Sequence, residues 1–149
     1  MVFSGSRELA LHPSIHVSRL SSPYRTAPFD MESEHAFINA ALSGWTSLMP
    51  EALLEVLQSI EQAAGRVRSP EQPGYIDRTL DLDILLFGDQ VIETEVLTVP
   101  HKEMNKRGFV LVPLAEIAPW AIHAVTGLSI REQLARLTIN QGDIEQLQW

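Results

Sequence analysis

Arg78 to Gly88 reads Arg-Thr-Leu-Asp-Leu-Asp-Ile-Leu-Leu-Phe-Gly, a stretch with the length and apolar content of one buried strand, ended by a turn at Gly88 and Asp89. Asp81 and Asp83 interrupt it. Residues two apart in a strand share a face, so the two carboxylates lie together while Leu80, Leu82, Ile84 and Leu86 line the opposite, core-facing side. Paired carboxylates repel each other and are costly to desolvate. Two environments resolve that conflict. The pair either faces solvent along an edge strand, or it meets a positive charge. Hard divalent cations prefer carboxylate oxygens, and Mg²⁺ is usually held by one or two carboxylates plus substrate phosphates. Arg78, with Arg66 and Arg68 upstream, would supply the cationic remainder of a phosphate site.

Composition narrows the partners. The 149 residues suit a single domain, and 45% hydrophobic with 20% charged residues is ordinary for a globular protein. A formal charge of −8 disfavours nucleic acid, whose binders carry a basic surface. Lys102 and Lys106 are the only lysines, so arginine carries most of the positive charge, and its planar fork suits bidentate contacts to a small phosphorylated ligand. No apolar run reaches the roughly 20 residues of a membrane span, and no basic segment followed by an apolar one opens the chain, so neither membrane insertion nor a signal peptide is expected. Cysteine is absent, which removes disulfides and thiolate chemistry and suggests a cytoplasmic setting.

In chain order, Arg7 to Leu11 reads as the end of a helix, Ile15 to Arg25 as a strand and Phe37 to Leu48 as a second strand joined to it through an acidic loop, Phe29 to His35. Pro50 opens a helix whose stripe is Leu53, Leu54, Leu57, Ile60 and Ala64, with Gly65 as its C-cap. Glu61 flanks that stripe, either as an ordinary surface acid or as part of a site near Arg66. Ser69 to Asp77 is a loop, 79–87 a strand, Gln90 to Val99 short extended pieces, and His101 to Arg107 a polar turn or short helix. Phe109 to Ala118 reads as a buried helix despite Pro113, and Ser129 with Glu132 as the capping box of a last helix. Ile144 to Trp149 closes the fold. Elements in this order suggest a two-layer α+β sandwich.

The Arg78–Gly88 stretch, with Leu-Thr-Val-Pro-His at 97–101 and Arg-Gly-Phe at 107–109, resembles the 6-hydroxymethyl-7,8-dihydropterin pyrophosphokinase family of folate biosynthesis. Tyr-Arg-Thr-Ala-Pro at 24–28, Phe-Ile-Asn-Ala-Ala at 37–41 and Gly-Arg-Val-Arg at 65–68 agree, and the motifs fall in the family's order. The resemblance implies a ferredoxin-like core and transfer of pyrophosphate from ATP to the pterin's hydroxymethyl group, with release of AMP and participation of two Mg²⁺ ions. It assigns Asp81 and Asp83 to the metals, Arg66 and Arg78 to the triphosphate, and Gln58, Glu61, Thr98, His101 and Arg107 to the nucleotide side. Phe37 and Phe109 become the aromatic walls of the pterin slot, Asn39 its in-plane hydrogen-bonding partner, and Thr26 and Phe29 the source of backbone contacts.

Two departures from the family pattern shape further expectations. The family's opening strand, which ends in Gly-Ser-Asn before a full helix, has only an echo at Gly5-Ser6-Arg7. A missing or atypical first strand would expose sheet edges. Met1 to Ser4 would fill part of the gap, a second copy would pair there as a homodimer, or Met1 is not the natural start. The loop Ser69 to Asp77 also carries Glu71, Gln72 and Pro73 where the family places basic residues and a tryptophan, with Tyr75 as the remaining aromatic. Losing one charge-stabilising contact there predicts chemistry slower by roughly 10- to 1000-fold. The alternatives are a non-catalytic homologue that binds pterin or nucleotide, and an unrelated ferredoxin-like metal-binding domain.

Overall fold

The computed structural model describes residues 9–26, 37–66, 80–140 and 142–149, with the backbone but not the side chain of Arg66. Leu9 to Leu11 are helical, in keeping with a helix that ends there. The expectations for Met1 to Ser4 and the homodimer edge near them, for the loop Phe29 to His35 and for the loop Ser69 to Asp77 lie outside the described residues.

The two strands expected over Ile15–Arg25 and Phe37–Leu48 are each broken. Strand β1 (Ile15–Leu20) pairs antiparallel with β4 (Leu42–Thr46), and β2 (Tyr24–Thr26) pairs with β3 (Phe37–Asn39). The break falls at Ser21 to Pro23, opposite Ala40 and Ala41. Ser21 N–H donates to the Ala41 carbonyl at 2.8 Å, but Ala41 N–H donates to the Ser21 hydroxyl, also at 2.8 Å, in place of a main-chain carbonyl. Pro23 has no N–H to give a ladder. A buried serine side chain therefore completes the pairing where the backbone bends away.

A second irregularity lies between Val17 and Arg19, across from Gly44. A Cβ on Gly44 would collide with the His16 carbonyl, so the close approach of the two backbones requires glycine. The carboxyl-terminal tail does close the fold: β7 (Ile144–Gln146) pairs with the free side of β2. Beyond it, Leu147 N–H donates to the Pro23 carbonyl and the Trp149 indole donates to the Ser21 carbonyl, both at 2.8 Å, which pins the tail to the hairpin bend. The extended pieces expected near 90–99 form a minimal pair, β5 (Ile92–Glu93) with β6 (Thr98–Val99).

Helix α1 (Pro50–Arg66) begins at its proline as expected and buries Leu57, Ile60 and Ala64. Gly65 lies within its last turn rather than just beyond it and has no positive φ, which corrects its reading as a C-cap. Helix α2 (Gly108–Ile117) continues through Pro113, and helix α3 (Ile130–Arg136) carries the expected Ser129–Glu132 capping box. Apolar side chains gather in two clusters, a departure from a simple two-layer sandwich. One surrounds α1, with Leu9, Ile84, Leu97 and Val99; the other joins Ala41, Met104, Leu111, Leu114, Ile117 and Ile130 under α2 and α3.

Residues 80–87 pair with no strand among the described residues, so the strand expected over 79–87 has no described partner. Its described hydrogen bonds run to a side chain and a loop: Leu82 N–H donates to the Glu61 carboxylate at 2.5 Å, and the Leu85 carbonyl accepts from His101 N–H at 2.9 Å. Alternation nevertheless holds over most of it. Leu80, Leu82 and Ile84 pack with the α1 cluster, whereas Leu85 turns to the other. Leu86 breaks the expected pattern by joining Leu85, and Phe87 returns to the α1 side just before Gly88 turns the chain at φ 57°.

One polar knot ties α2 to the hairpin bend. Glu116 in the last turn of α2 accepts from the Tyr24 hydroxyl at 2.6 Å, the Ser22 N–H at 2.7 Å and the Gln146 amide at 3.3 Å. Nearby, the Arg19 guanidinium donates to the Ile117 carbonyl at 3.2 Å and lies over the Trp120 ring, so the helix end receives the positive charge its dipole favours. Burial, then the hydrogen bond to Glu116 and the negative charge there, push the Tyr24 phenol up to about 12. Burial alone would raise Glu116, but the hydrogen bonds from Tyr24 and Ser22 outweigh it and hold the carboxyl below its ordinary value.

Gly44→Ala is expected to destabilise the protein by about 1–3 kcal/mol, as overpacking does, in chemical unfolding followed by circular dichroism. Tyr24 stays neutral in the folded state while the unfolded phenol ionises above its ordinary value of 10.0, so stability falls as pH climbs from there toward 12. Unfolding free energies measured across that window should decline more steeply for the unaltered chain than for Tyr24→Phe.

Candidate active site

Alternation in the 80–85 segment sends its apolar residues under α1 and leaves Asp81 and Asp83 exposed on the other side. They border a cleft of about 100 Å³ together with Leu85, Asn39, Ala40 and Ala41 of the hairpin, and Phe109, Val110 and Pro113 of α2. Three separated parts of the chain thus meet at one place: the acidic segment, the hairpin and the amino-terminal half of α2. Pro113 lacks the N–H that would have bonded to the Phe109 carbonyl, so its ring can face the cleft without a lost donor of its own.

Each wall is held from behind. Glu61 reaches from α1 to the Leu82 N–H, between the two aspartates, so it is neither an ordinary surface acid nor oriented by chance. On the other flank, the Leu97–His101 stretch is joined to the acidic segment through His101 N–H and the Leu85 carbonyl. Fully buried Met104 fixes the short 3₁₀ turn Met104–Lys106 that follows. The imidazole Nδ1 of His101 accepts from the Glu103 N–H at 3.2 Å, which leaves the ring proton on Nε2 in the neutral form. That nitrogen faces Asp83 Oδ2 at 4.0 Å. It is a donor aimed along the carboxylates without being consumed by them.

Of the residues singled out from sequence, Asn39, Asp81, Asp83 and Phe109 line the cleft and His101 stands beside it. Arg107 precedes α2 and its guanidinium lies over the Phe109 ring, 5.7 Å from the centroid. Thr26 is buried at the end of β2 opposite Phe37, its hydroxyl without a hydrogen-bond partner. Phe37 is 58% exposed and does not line the cleft, although it shares a strand face with Asn39. Gln58 is exposed on α1, and Thr98 is half-buried in β6. The expectations for Arg78, Phe29 and the side chain of Arg66 lie outside the described residues.

Sequence reasoning missed Ala40, Ala41, Val110 and Pro113 as cleft lining. Their signal is negative, a pair of small residues and a helical proline that leave room and bring no chemistry. As for a metal, exposed paired carboxylates are hard oxygen donors in the number that Mg²⁺ takes when phosphate oxygens fill the rest of its octahedron. The donor set therefore fits that ion.

A mixed α and β chain whose paired acids share a cleft with an asparagine and a phenylalanine has the parts of a phosphate-handling enzyme that also receives a flat ring. The profile of the 7,8-dihydro-6-hydroxymethylpterin-pyrophosphokinase family matches residues 4–119, and the chain belongs to that family. A protein of Methylorubrum extorquens named 2-amino-4-hydroxy-6-hydroxymethyldihydropteridine pyrophosphokinase is 41% identical over 137 residues, 92% of this chain and 84% of its own length. Proteins of the same name from Synechocystis and Bacillus subtilis are 44% and 48% identical, over 83% and 71% of this chain. The chain spans 61% and 62% of those two relatives. Among the described residues no helix is long and apolar enough to cross a membrane.

Glu61→Ala removes the acceptor of the Leu82 N–H and is expected to cost about 1.5–3 kcal/mol of unfolding free energy, the range for a hydrogen bond to a charged group. Glu61→Gln keeps an acceptor oxygen and should lose less than half of that in the same denaturant titration.

Proposed function

We propose that this chain transfers the pyrophosphoryl group of ATP to the hydroxymethyl group of 6-hydroxymethyl-7,8-dihydropterin, with release of AMP, in folate biosynthesis. Family membership supports the reading. The single observation that carries it to residues is the meeting of Asp81 and Asp83 with Asn39 and Phe109 around one cleft. A chain that only bound a pterin would have little need for an exposed acidic pair on a segment braced from two sides. The ferredoxin-like description of the core, the single-domain reading and a cytoplasmic location belong to the same proposal.

In the reaction, the pterin's hydroxymethyl oxygen attacks the β-phosphorus, the bond from that phosphorus to the oxygen bridging it to the α-phosphorus breaks, AMP departs with that oxygen, and the hydroxyl proton passes to solvent. Such transfers are accelerated mainly by positioning and charge neutralisation. Asp81 and Asp83 would hold Mg²⁺, read as two ions, which supplies the positive charge that screens the phosphates. His101 donates through Nε2 to a phosphate oxygen. Arg66 and Arg78 add guanidinium contacts to the triphosphate, and Arg107, kept in place over Phe109, another. Gln58, Glu61 and Thr98 form the nucleotide side, with Glu61 acting through the Leu82 backbone.

Phe109 stacks on the pterin ring, and the Asn39 amide offers a donor and an acceptor to its pyrimidine-like edge. Thr26 and Phe29 add contacts at the hairpin end. Phe37, exposed on β3, becomes the second ring wall by moving over the bound pterin.

The test is AMP formation from ATP, Mg²⁺ and the hydroxymethyl dihydropterin. The unaltered chain should form AMP, and Asp83→Ala should reduce kcat by at least about 100-fold, the scale for losing one charge-stabilising contact. Pterin binding without AMP from the unaltered chain would instead favour a binding homologue.

A further inference from the structure

An acid in the last turn of a helix runs against the helix dipole, so Glu116 calls for a reason. Its partners supply one. The carboxylate gathers Tyr24 and Ser22 at the hairpin bend and Gln146 of the tail strand, while Gln146 also donates to the Ser22 hydroxyl at 3.0 Å. Tyr24 is the first residue of β2, whose pairing places it opposite Asn39. Glu116 is therefore one side chain and one strand pair away from the asparagine that borders the cleft.

Helix α2 makes this connection consequential. Phe109 stands at its amino-terminal end and Glu116 seven residues later, roughly 10 Å along a stiff rod at the usual helical rise. The cleft has Phe109 on the helix and Asn39 on the hairpin. The hairpin halves are short, with three residues in each of β2, β3 and β7, so their ladders alone give few bonds to resist sliding past α2.

We propose that Glu116 is a positioning residue for the pterin side of the site: by holding the bend at Ser22 and Tyr24 against α2, it sets the separation between Asn39 and Phe109. The proposal rests on the pyrophosphokinase reading above. Asp81, Asp83 and His101 are held by α1 and by the 97–101 stretch instead, so loosening the Glu116 knot acts on the pterin and leaves those three residues in place.

The experiment measures separate KM values for ATP and for the hydroxymethyl dihydropterin in AMP formation by the full chain. Glu116→Ala should raise the pterin KM roughly three- to tenfold, the scale of one ordinary hydrogen bond, and leave the ATP KM within about twofold. Glu116→Gln should restore most of the loss, since its amide oxygen accepts from Ser22 and its amide nitrogen can donate to the Tyr24 hydroxyl. Tyr24→Phe, which removes a single oxygen and keeps the ring, should raise the pterin KM by about threefold. An unchanged pterin KM in these variants, an equal rise in both KM values, or failure of Gln to restore would overturn the positioning role. Absence of AMP from the unaltered chain would overturn the assigned reaction, and the role of Glu116 in substrate affinity with it.

Discussion

Two carboxylates on one face of a single extended segment repel, and the site depends on the means by which that segment is held with both acids outward. The backbone does this through unlike partners. A carboxylate from α1 takes the Leu82 N–H, and a loop N–H takes the Leu85 carbonyl. Apolar anchoring completes the hold, because Leu80, Leu82 and Ile84 are sunk into the α1 cluster. Rotating the acids inward would mean lifting those three side chains into water, at a cost of about 1.5–3 kcal/mol for buried Ile84 and less for the half-buried Leu80 and Leu82.

The second constraint is α2, which belongs to both halves of the site. Its first turn brings Phe109 to the cleft and its last turn fastens the hairpin. Between them, fully buried Leu111 and Pro113, with Leu114 and Ile117, seat the helix on the second apolar cluster. The helix is mostly apolar along its length, as a fully packed helix should be. Its one charged side chain, Glu116, finds partners from two other elements at once.

Much of this could be read from residue order. Pro50, the 53–64 stripe and the Ser129–Glu132 box announce their helices through local rules, and local rules are what a single sequence displays. The alternation that exposes Asp81 and Asp83 was equally legible, because a period of two needs no partner to be seen. The breaks were not. Whether Ile15–Arg25 continues through Ser21 depends on a hydroxyl bonding to Ala41 N–H twenty residues away, and nothing near Ser21 forecasts that. The crossing of Leu86 to the other cluster likewise depends on what lies beside the segment. Glu116 was passed over because its neighbours in sequence are apolar and its partners are distant.

The same contrast separates the two substrate sides. Of the residues proposed for ATP and metal, Asp81, Asp83 and His101 recur in short motifs and are anchored to α1 and to the 97–101 stretch, whose positions follow from packing around one cluster. Of the residues proposed for the pterin, Thr26, Phe37 and Asn39 sit on three-residue strands, and Phe37 remains exposed away from the cleft. An exposed aromatic beside a half-built slot is the expected state of a wall that gains its contacts from the ligand: stacking returns the apolar contact area that the free protein leaves in water. On the proposed assignment, the acids and His101 would be preorganised by the protein's own core, whereas the pterin side would rely on the Glu116 knot to keep Asn39 and Phe109 in register until the ring arrives.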